Sequence, residues 1–344
     1  MQQPLDLDRF RRWAAYALPH LGSDPLKMER LSGGSSSAVY RVSCGAGSVV
    51  LRLPAWPPRV DSLKAMGRES RVLSALRGTR VPHPQLLAFA ADEAIAGVPF
   101  MVMAFIDGWI GTQPPAPFNQ PGPHRRAMAF ALIDAIATIS AVDYRAVGLG
   151  DFGKPERFLE RQVDRWLAHL ESYKVTEGYP GRDIPGLDYV AAWLRANQPQ
   201  TQRVSLLHSD ASFPNVMFAP EPPARVAAII DWEIATLGDP LLDLGRAVYA
   251  LPGRRVGTGR NGMEDFSDLP VREELAEHYA RLTGLDVLAL DYYVVLAAFK
   301  LACIIEFNYA RMVTGRDTSA LARQISDYVL ELIADAAAVA RAAG

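Results

Sequence analysis

The sequence predicts an α+β chain in two lobes, a small antiparallel-sheet N-lobe over residues 1–106 and a larger helical C-lobe over 107–344. Three observations predict it. Up to residue 106, short β-branched and apolar runs are separated by Gly, Ser and Pro, as strands of a sheet are. From about residue 124, apolar residues recur at helical spacing instead. Among the helical stretches lies one polar hairpin, LLHSDASFPNVMF at 206–218, flanked by the strand-like RVSLLH and ARVAAIIDWE. With 344 residues, 49% of them hydrophobic and 22% charged, the chain can bury a sizeable core.

Taken in order, Leu5 to Leu18 reads as an amphipathic helix. A strand, a glycine-rich turn and two strands at Ala38–Val42 and Ser48–Leu53 follow. Lys64 to Gly78 has Met66, Val72, Leu73 and Leu76 among charges, the pattern of an exposed helix. VPHPQLLAF and VPFMVMAFIDG supply two more strands. HRRAMAFALIDAIATISAVD and RFLERQVDRWLAHLESY are helical, the second with Phe158, Leu159, Val163, Trp166, Leu167 and Leu170 on one side. Gly178 to Gly186 is a loop before a helix through Trp193, and after the hairpin the chain returns to helix at Leu275–Leu282 and Asp291–Val313 and through its Ala-rich end. Arg254 to Asp268, with three Gly, is the segment expected to be mobile.

Composition narrows the function classes. A formal net charge of -2 provides no overall basic field for nucleic acid or an anionic membrane. Cys44 and Cys303 stand far apart without a CxxC, so neither a disulfide framework nor a structural zinc site is expected, and a cytoplasmic location fits. The N-terminal MQQPLDLDRFRRW carries charges where a signal peptide needs an apolar core, and the most apolar stretch, Tyr292 to Phe307, contains Lys300 and Glu306 and reads as a buried helix.

The hairpin carries the chemistry. Phosphoryl transfer from ATP needs a turn over the phosphates, a strand cation with an acid to steer it, a carboxylate for the attacking hydroxyl and magnesium ligands. In the protein-kinase pattern the metal-binding Asn lies five residues after the catalytic Asp, with a second metal-binding Asp on the next strand-turn. Asp210 and Asn215 are five apart, and Asp231 follows 16 residues later at the end of VAAII. Through HSDASFPN and IIDWEIATLGDPLLDLG, with the weaker RQVDRWL and PFMVMAFIDG, residues 25 to 315 resemble the aminoglycoside phosphotransferase-like small-molecule kinases. They look particularly similar to the branch that includes the kinase-like domain attached to certain acyl-CoA dehydrogenases. The resemblance implies a protein-kinase-like fold, ATP and Mg2+ as cofactors, and a small-molecule hydroxyl as acceptor, a hydroxyacyl thioester among the candidates.

Carried over by position, the resemblance makes Asp210 the catalytic carboxylate, with His208 supporting the loop and Asp243 bracing it from the next helix. Asn215 and Asp231 would hold magnesium through hard oxygen ligands. Gly33, Gly34 and Ser35 sit where the phosphate-covering turn belongs, and no Gly-Lys-Ser/Thr follows to make a Walker A. Arg52 holds the strand-lysine position, a departure from the protein-kinase pattern, with Glu69 as its partner. Backbone groups near Ala104 and Ile106 would meet adenine. Glu233 is either a further metal-shell group or polar turn chemistry, and Asp239 before Pro240 suits a helix N-cap. DFGK at 151–154 precedes Asp210 and reads as a helix-entry turn; Gly257–Gly259 reads as loop.

The leading expectation is therefore a kinase for a hydroxylated metabolite. Polycationic aminoglycosides need a strongly acidic cleft, whereas RFLERQVDRWLAHLESYK mixes Arg with aromatics and carboxylates. Arg52 motivates the alternative of a nucleotide-binding pseudokinase or scaffold, and an aminoglycoside or macrolide kinase is the other. A homodimer is the assembly carried forward as an expectation.

Overall fold

Helix α1 (Leu7–Ala17) starts where Asp6 accepts the N–H groups of Asp8 and Arg9, replacing two of the helix's missing backbone partners. Its apolar stripe, Phe10 and Ala14, packs on a five-stranded antiparallel sheet, with Phe10 edge-on to Phe100 at 5.5 Å. The strands are β1 (Lys27–Arg30), β2 (Ser37–Cys44), β3 (Gly47–Pro54), β4 (Leu86–Ala90) and β5 (Phe100–Ala104), in the order β1-β2-β3-β5-β4. The computed structural model describes residues 5–21, 24–31, 37–45, 47–54, 60–251 and 268–344. Gly33, Gly34 and Ser35, and the segment from Arg254 as far as residue 267, lie outside the described residues.

Alternation along β5 assigns the two faces of the sheet. Phe100 and Val102 face the cluster around α1, whereas Met101 and Met103 join Val72 and Leu73 of α2 (Val60–Ala75) and Leu76 just after it. The second cluster continues into the helical part of the chain, so α2 and the sheet are packed into it. On the far side a three-stranded antiparallel sheet orders β6 (Trp109–Ile110), β8 (Val216–Phe218) and β9 (Val226–Ile229), while β7 (Ser205–Leu207) pairs with β10 (Thr236–Gly238).

The helices are α3 (Pro123–Ser140), α4 (Gln162–Ser172), α5 (Leu187–Ala196), α6 (Leu241–Ala250), α7 (Arg272–Thr283), α8 (Leu290–Val313) and α9 (Ala320–Ala343). The first two turns of α8 are buried on every side, as an all-round apolar helix should be. Gly245 allows α6 to lie against it: a Cβ there would come within 2.6 Å of the Tyr293 carbonyl carbon. That contact fixes where α6 presents Asp243 and Arg246. Among the described residues no helix is long and apolar enough to cross a membrane.

Local boundaries depart from the sequence pattern in three places. A 3-10 turn, Leu159–Arg161, precedes α4, so the expected helix from Arg157 starts at Gln162. Pro240, not Asp239, takes the N-cap of α6, although Asp239 still accepts the Leu241 N–H at 3.1 Å. Strands β6 and β10, two and three residues long, are too short for periodicity to reveal.

Candidate active site

Asp210 lies in the loop between β7 and β8, and the backbone of that loop is held almost atom by atom. The Asp243 carboxylate, 2% exposed, accepts the His208 and Ser209 N–H groups at 2.7 Å each. His208 is buried, its Nε2 donating to the Ile230 carbonyl at 2.9 Å and its Nδ1 accepting the Asp210 N–H at 3.2 Å. Both ring nitrogens are thus committed to backbone, and the ring packs edge-on against Trp232 at 4.7 Å. Lys300 of α8 donates to the Ser209 carbonyl at 2.9 Å. Ser209 (φ 73°) and Asp231 (φ 68°) are left-handed non-glycine residues, a conformation that must be enforced by such contacts.

The Asp210 side chain is oriented by two donors. Arg246 Nε reaches one carboxylate oxygen at 2.8 Å, and Asn215 Nδ2 reaches the other at 2.8 Å. Burial opposes the charge of Arg246, and Asp210, Tyr328 and Tyr249 together outweigh it, so the guanidinium is held above its ordinary range. Among the described residues, the Asn215 Oδ1 accepts no hydrogen bond, and the Asn215 carbonyl takes the Ile230 N–H at 2.9 Å. That bond places Asn215 beside Asp231, whose side chain is 40% exposed. Two hard oxygens from an amide and a carboxylate suit magnesium, which takes one or two protein ligands and completes its shell with water and phosphate oxygens.

A second cluster reaches this point from the sheet. Arg52 of β3 donates to Glu69 of α2, to Glu233 at 3.0 Å, to Asp231 at 3.4 Å and to Ser37 Oγ at 3.0 Å. Burial opposes the Arg52 charge, and Glu69, Asp231 and Glu233 more than offset that, raising its pKa. Burial, countered by Arg52 and reinforced by Asp231 and Glu233, pushes the Glu69 carboxyl up to about 7. The second Glu69 oxygen accepts the Trp232 N–H at 3.3 Å, tying α2 to the residue after Asp231.

The structure therefore brings Arg52, Glu69, Asp231, His208, Asp210 and Asn215 into one connected network. Ala104 and Ile106 lie at and just beyond the end of β5; the Ala104 N–H is taken by the Gln85 carbonyl, and the Ile106 N–H has no partner among the described residues. DFGK forms a turn ahead of α4, with Asp151 paired to Arg71 at the surface. Sequence reasoning missed Arg246 and the role of Lys300. Arg246 lies three residues after Asp243, a spacing that shares a helix face, and Lys300 is a cation inside an apolar helix, where burial demands a partner.

Lys300 carries a testable pH signature. Burial lowers its ammonium from 10.5 to about 8, while Asp210 and Asp243 pull upward and Arg165 and Arg246 downward. Between those values the unfolded chain binds more protons than the folded one, so stability rises with pH through that window. Urea unfolding of the wild type is expected to gain up to about 3 kcal/mol between pH 7 and pH 10 relative to Lys300→Met. Parallel pH profiles for the two proteins would contradict this.

The comparisons with known proteins follow that geometry. Residues 27–284 match the model of the phosphotransferase enzyme family. Acyl-CoA dehydrogenase family member 10 of Mus musculus is 31% identical over 305 residues, covering 87% of this chain and 28% of that protein. Acyl-CoA dehydrogenase family member 11 of Gallus gallus is 28% identical over 342 residues, covering 96% of this chain and 43% of that protein. The chain thus spans well under half the length of these curated relatives. A solved structure from Ralstonia eutropha, provisionally described as an aminoglycoside phosphotransferase, superposes with a TM-score of 0.77 at 28% identity, covering 98% of this chain and 99% of that one. An aminoglycoside phosphotransferase in ternary complex with ADP and hygromycin B has the same fold at 15% identity, with a TM-score of 0.58, covering 94% of this chain and 97% of that one. The match over most of its length, with the kinase-like fold in common, establishes that this chain belongs to the phosphotransferase enzyme family.

Proposed function

We propose that the chain transfers the γ-phosphoryl group of ATP to a hydroxyl of a small metabolite, with Mg2+. The observation that carries this reading is the Asp210 carboxylate, fixed by Arg246 and Asn215, next to Asp231, which is paired with Arg52 from the sheet. A phosphoryl group in flight has a loose transition state, so catalysis is mostly positioning and charge stabilisation, and a weakly basic, well-aimed carboxylate suffices. Asp210 would accept the hydrogen bond of the attacking hydroxyl and align its oxygen. Arg246 would hold that carboxylate in position. Asn215 and Asp231 would hold magnesium, which when bound neutralises charge on the phosphate oxygens.

In this reading Arg52, steered by Glu69, contacts the nucleotide phosphates, Gly33, Gly34 and Ser35 cover them, and the backbone at Ala104 and Ile106 meets adenine. His208 shapes the loop. The sheet-bearing residues 1–106 and the helical residues 107–344 act as the nucleotide and acceptor sides. The relatives' acyl-CoA dehydrogenase names support including hydroxyacyl thioesters among the acceptors.

The test is ADP release with ATP, magnesium and a panel of hydroxylated metabolites, hydroxyacyl thioesters, aminoglycosides and macrolides. Asp210→Asn is expected to lower acceptor-dependent turnover by roughly 100- to 10,000-fold while leaving ATP affinity within a few-fold. Bound ATP with no acceptor-dependent turnover, unchanged in that variant, would favour a scaffold instead.

A further inference from the structure

Beside the catalytic loop opens a cavity of about 490 Å3 between α2, the turn before α4, α4 itself and α8. Five of its lining residues are cations, Arg68, Lys154, Arg161, Arg165 and Lys300, against one carboxylate, Glu233. That carboxylate is already bonded to Arg52 at 3.0 Å. Among the described residues the Arg68 guanidinium donates only to the Phe152 and Ala235 carbonyls, and that of Arg161 only to the Glu156 and Lys154 carbonyls. No ion pair is formed by Arg165 or Lys154 among the described residues.

Arg68, Lys154, Arg161 and Arg165 line this one cavity while remaining exposed to solvent, where an anion can reach them. Arg161 and Arg165, four residues apart, share one face at the start of α4, an arrangement that repels in the absence of an anion. The Arg68 guanidinium lies over Phe152 at 4.1 Å and that of Arg165 over Trp166 at 4.9 Å, and Arg165, whose side chain makes no hydrogen bond among the described residues, keeps its guanidinium N–H groups for a bidentate acceptor. Burial first, and then the neighbouring cations, hold both guanidinium groups below their ordinary range, Arg68 through Arg165 and Arg71, Arg165 through Arg161. The cavity adjoins the reacting carboxylate, because it is also lined by Ser209, the residue before Asp210.

We infer that the acceptor is a phosphate-bearing alcohol whose phosphate group binds among Arg68, Lys154, Arg161 and Arg165 while its hydroxyl faces Asp210. The inference rests on the kinase reading above for the hydroxyl, and on the cavity alone for the anion. A dianionic phosphate matches several converging guanidinium groups better than a single carboxylate does, and a polycationic acceptor would be repelled.

Three probes that share hydroxyls and differ in charge test it: glycerol, glycerate and glycerol 3-phosphate. Their affinities for the full chain loaded with ADP and magnesium are measured by calorimetry, and their phosphorylation by ATP is followed in parallel. Glycerol 3-phosphate is expected to bind at least about tenfold more tightly than glycerate and to lose at least that much in the folded Arg161→Gln/Arg165→Gln double variant. Arg161→Lys/Arg165→Lys is expected to retain part of the affinity, and added salt to weaken it. Equal affinity for the three probes, preference for glycerate, no binding at millimolar probe, or an unaffected double variant would overturn the inference. Charge-selective binding without phosphoryl transfer would sink the kinase reading and leave the anion site standing. Transfer to neutral alcohols independent of both arginines would do the reverse.

Discussion

Arg52→Met is expected to weaken both the fold and nucleotide binding. Glu69, 2% exposed, would lose its cation while Asp231 and Glu233 stayed nearby. Breaking a buried pair by removing one member costs about 3–5 kcal/mol, because the remaining charge has no compensation. Glu69 has one escape, uptake of a proton, since burial already raises its carboxyl to about 7. An acid whose folded pKa is raised holds more protons folded than unfolded, so stability falls as pH climbs from the ordinary value of 4.5 through the raised one. The loss in Arg52→Met should therefore be larger in urea unfolding at pH 8 than at pH 5.5. ATP affinity, read by calorimetry, should fall at least about tenfold. Arg52→Lys should recover only part of both, because one ammonium cannot span the four acceptors that the guanidinium reaches. Stability and affinity unchanged in Arg52→Met would refute this account.

Asp243→Ala is the second large effect. Two buried N–H groups of the loop that carries Asp210 would lose their acceptor, each worth about 1–3 kcal/mol when left unsatisfied. Lys300 would also lose one of the two carboxylates that hold its charge in the interior. Because the lost bonds shape the loop and do not touch Arg52 or Glu69, kcat should collapse while ATP affinity changes little. Asp243→Asn keeps one acceptor oxygen and should fall between the two. If Asp243→Ala raised KM for ATP and left kcat intact, the loop-bracing role would be wrong.

The degree to which the architecture could be read in advance follows element length. Helices such as α3, α8 and α9 show many turns of apolar spacing, and the strands of the N-terminal sheet show four to eight residues of pattern between breakers. Strands β6 and β10 carry only two or three residues and exist because β8 and β7 offer them edges, a tertiary cause with no local trace. The site divides in the same way. Asp210 and Asn215 share one loop, so their spacing is visible in the chain. Arg246 meets Asp210 only because Gly245 lets α6 close on α8, and Arg68 meets Arg165 only across the cavity between α2 and α4. Lys300 was visible as a cation in an apolar run, but its partner, a carbonyl 91 residues away, was not.

The left-handed backbone at Ser209 and Asp231 bears on how the protein would fail when heated. Side chains other than glycine disfavour that conformation by about 1–2 kcal/mol per residue, so the two segments keep it only while Asp243, Lys300 and their neighbours enclose them. Warming is expected to loosen that enclosure before it dissolves the helical core. Activity should then disappear some degrees below the temperature at which the helices melt, and refolding on cooling should restore it. Selection for heat resistance would meet the same limit: glycine at 209 would relieve the strain and leave the loop less firmly set, exchanging durability of the fold for aim of the carboxylate.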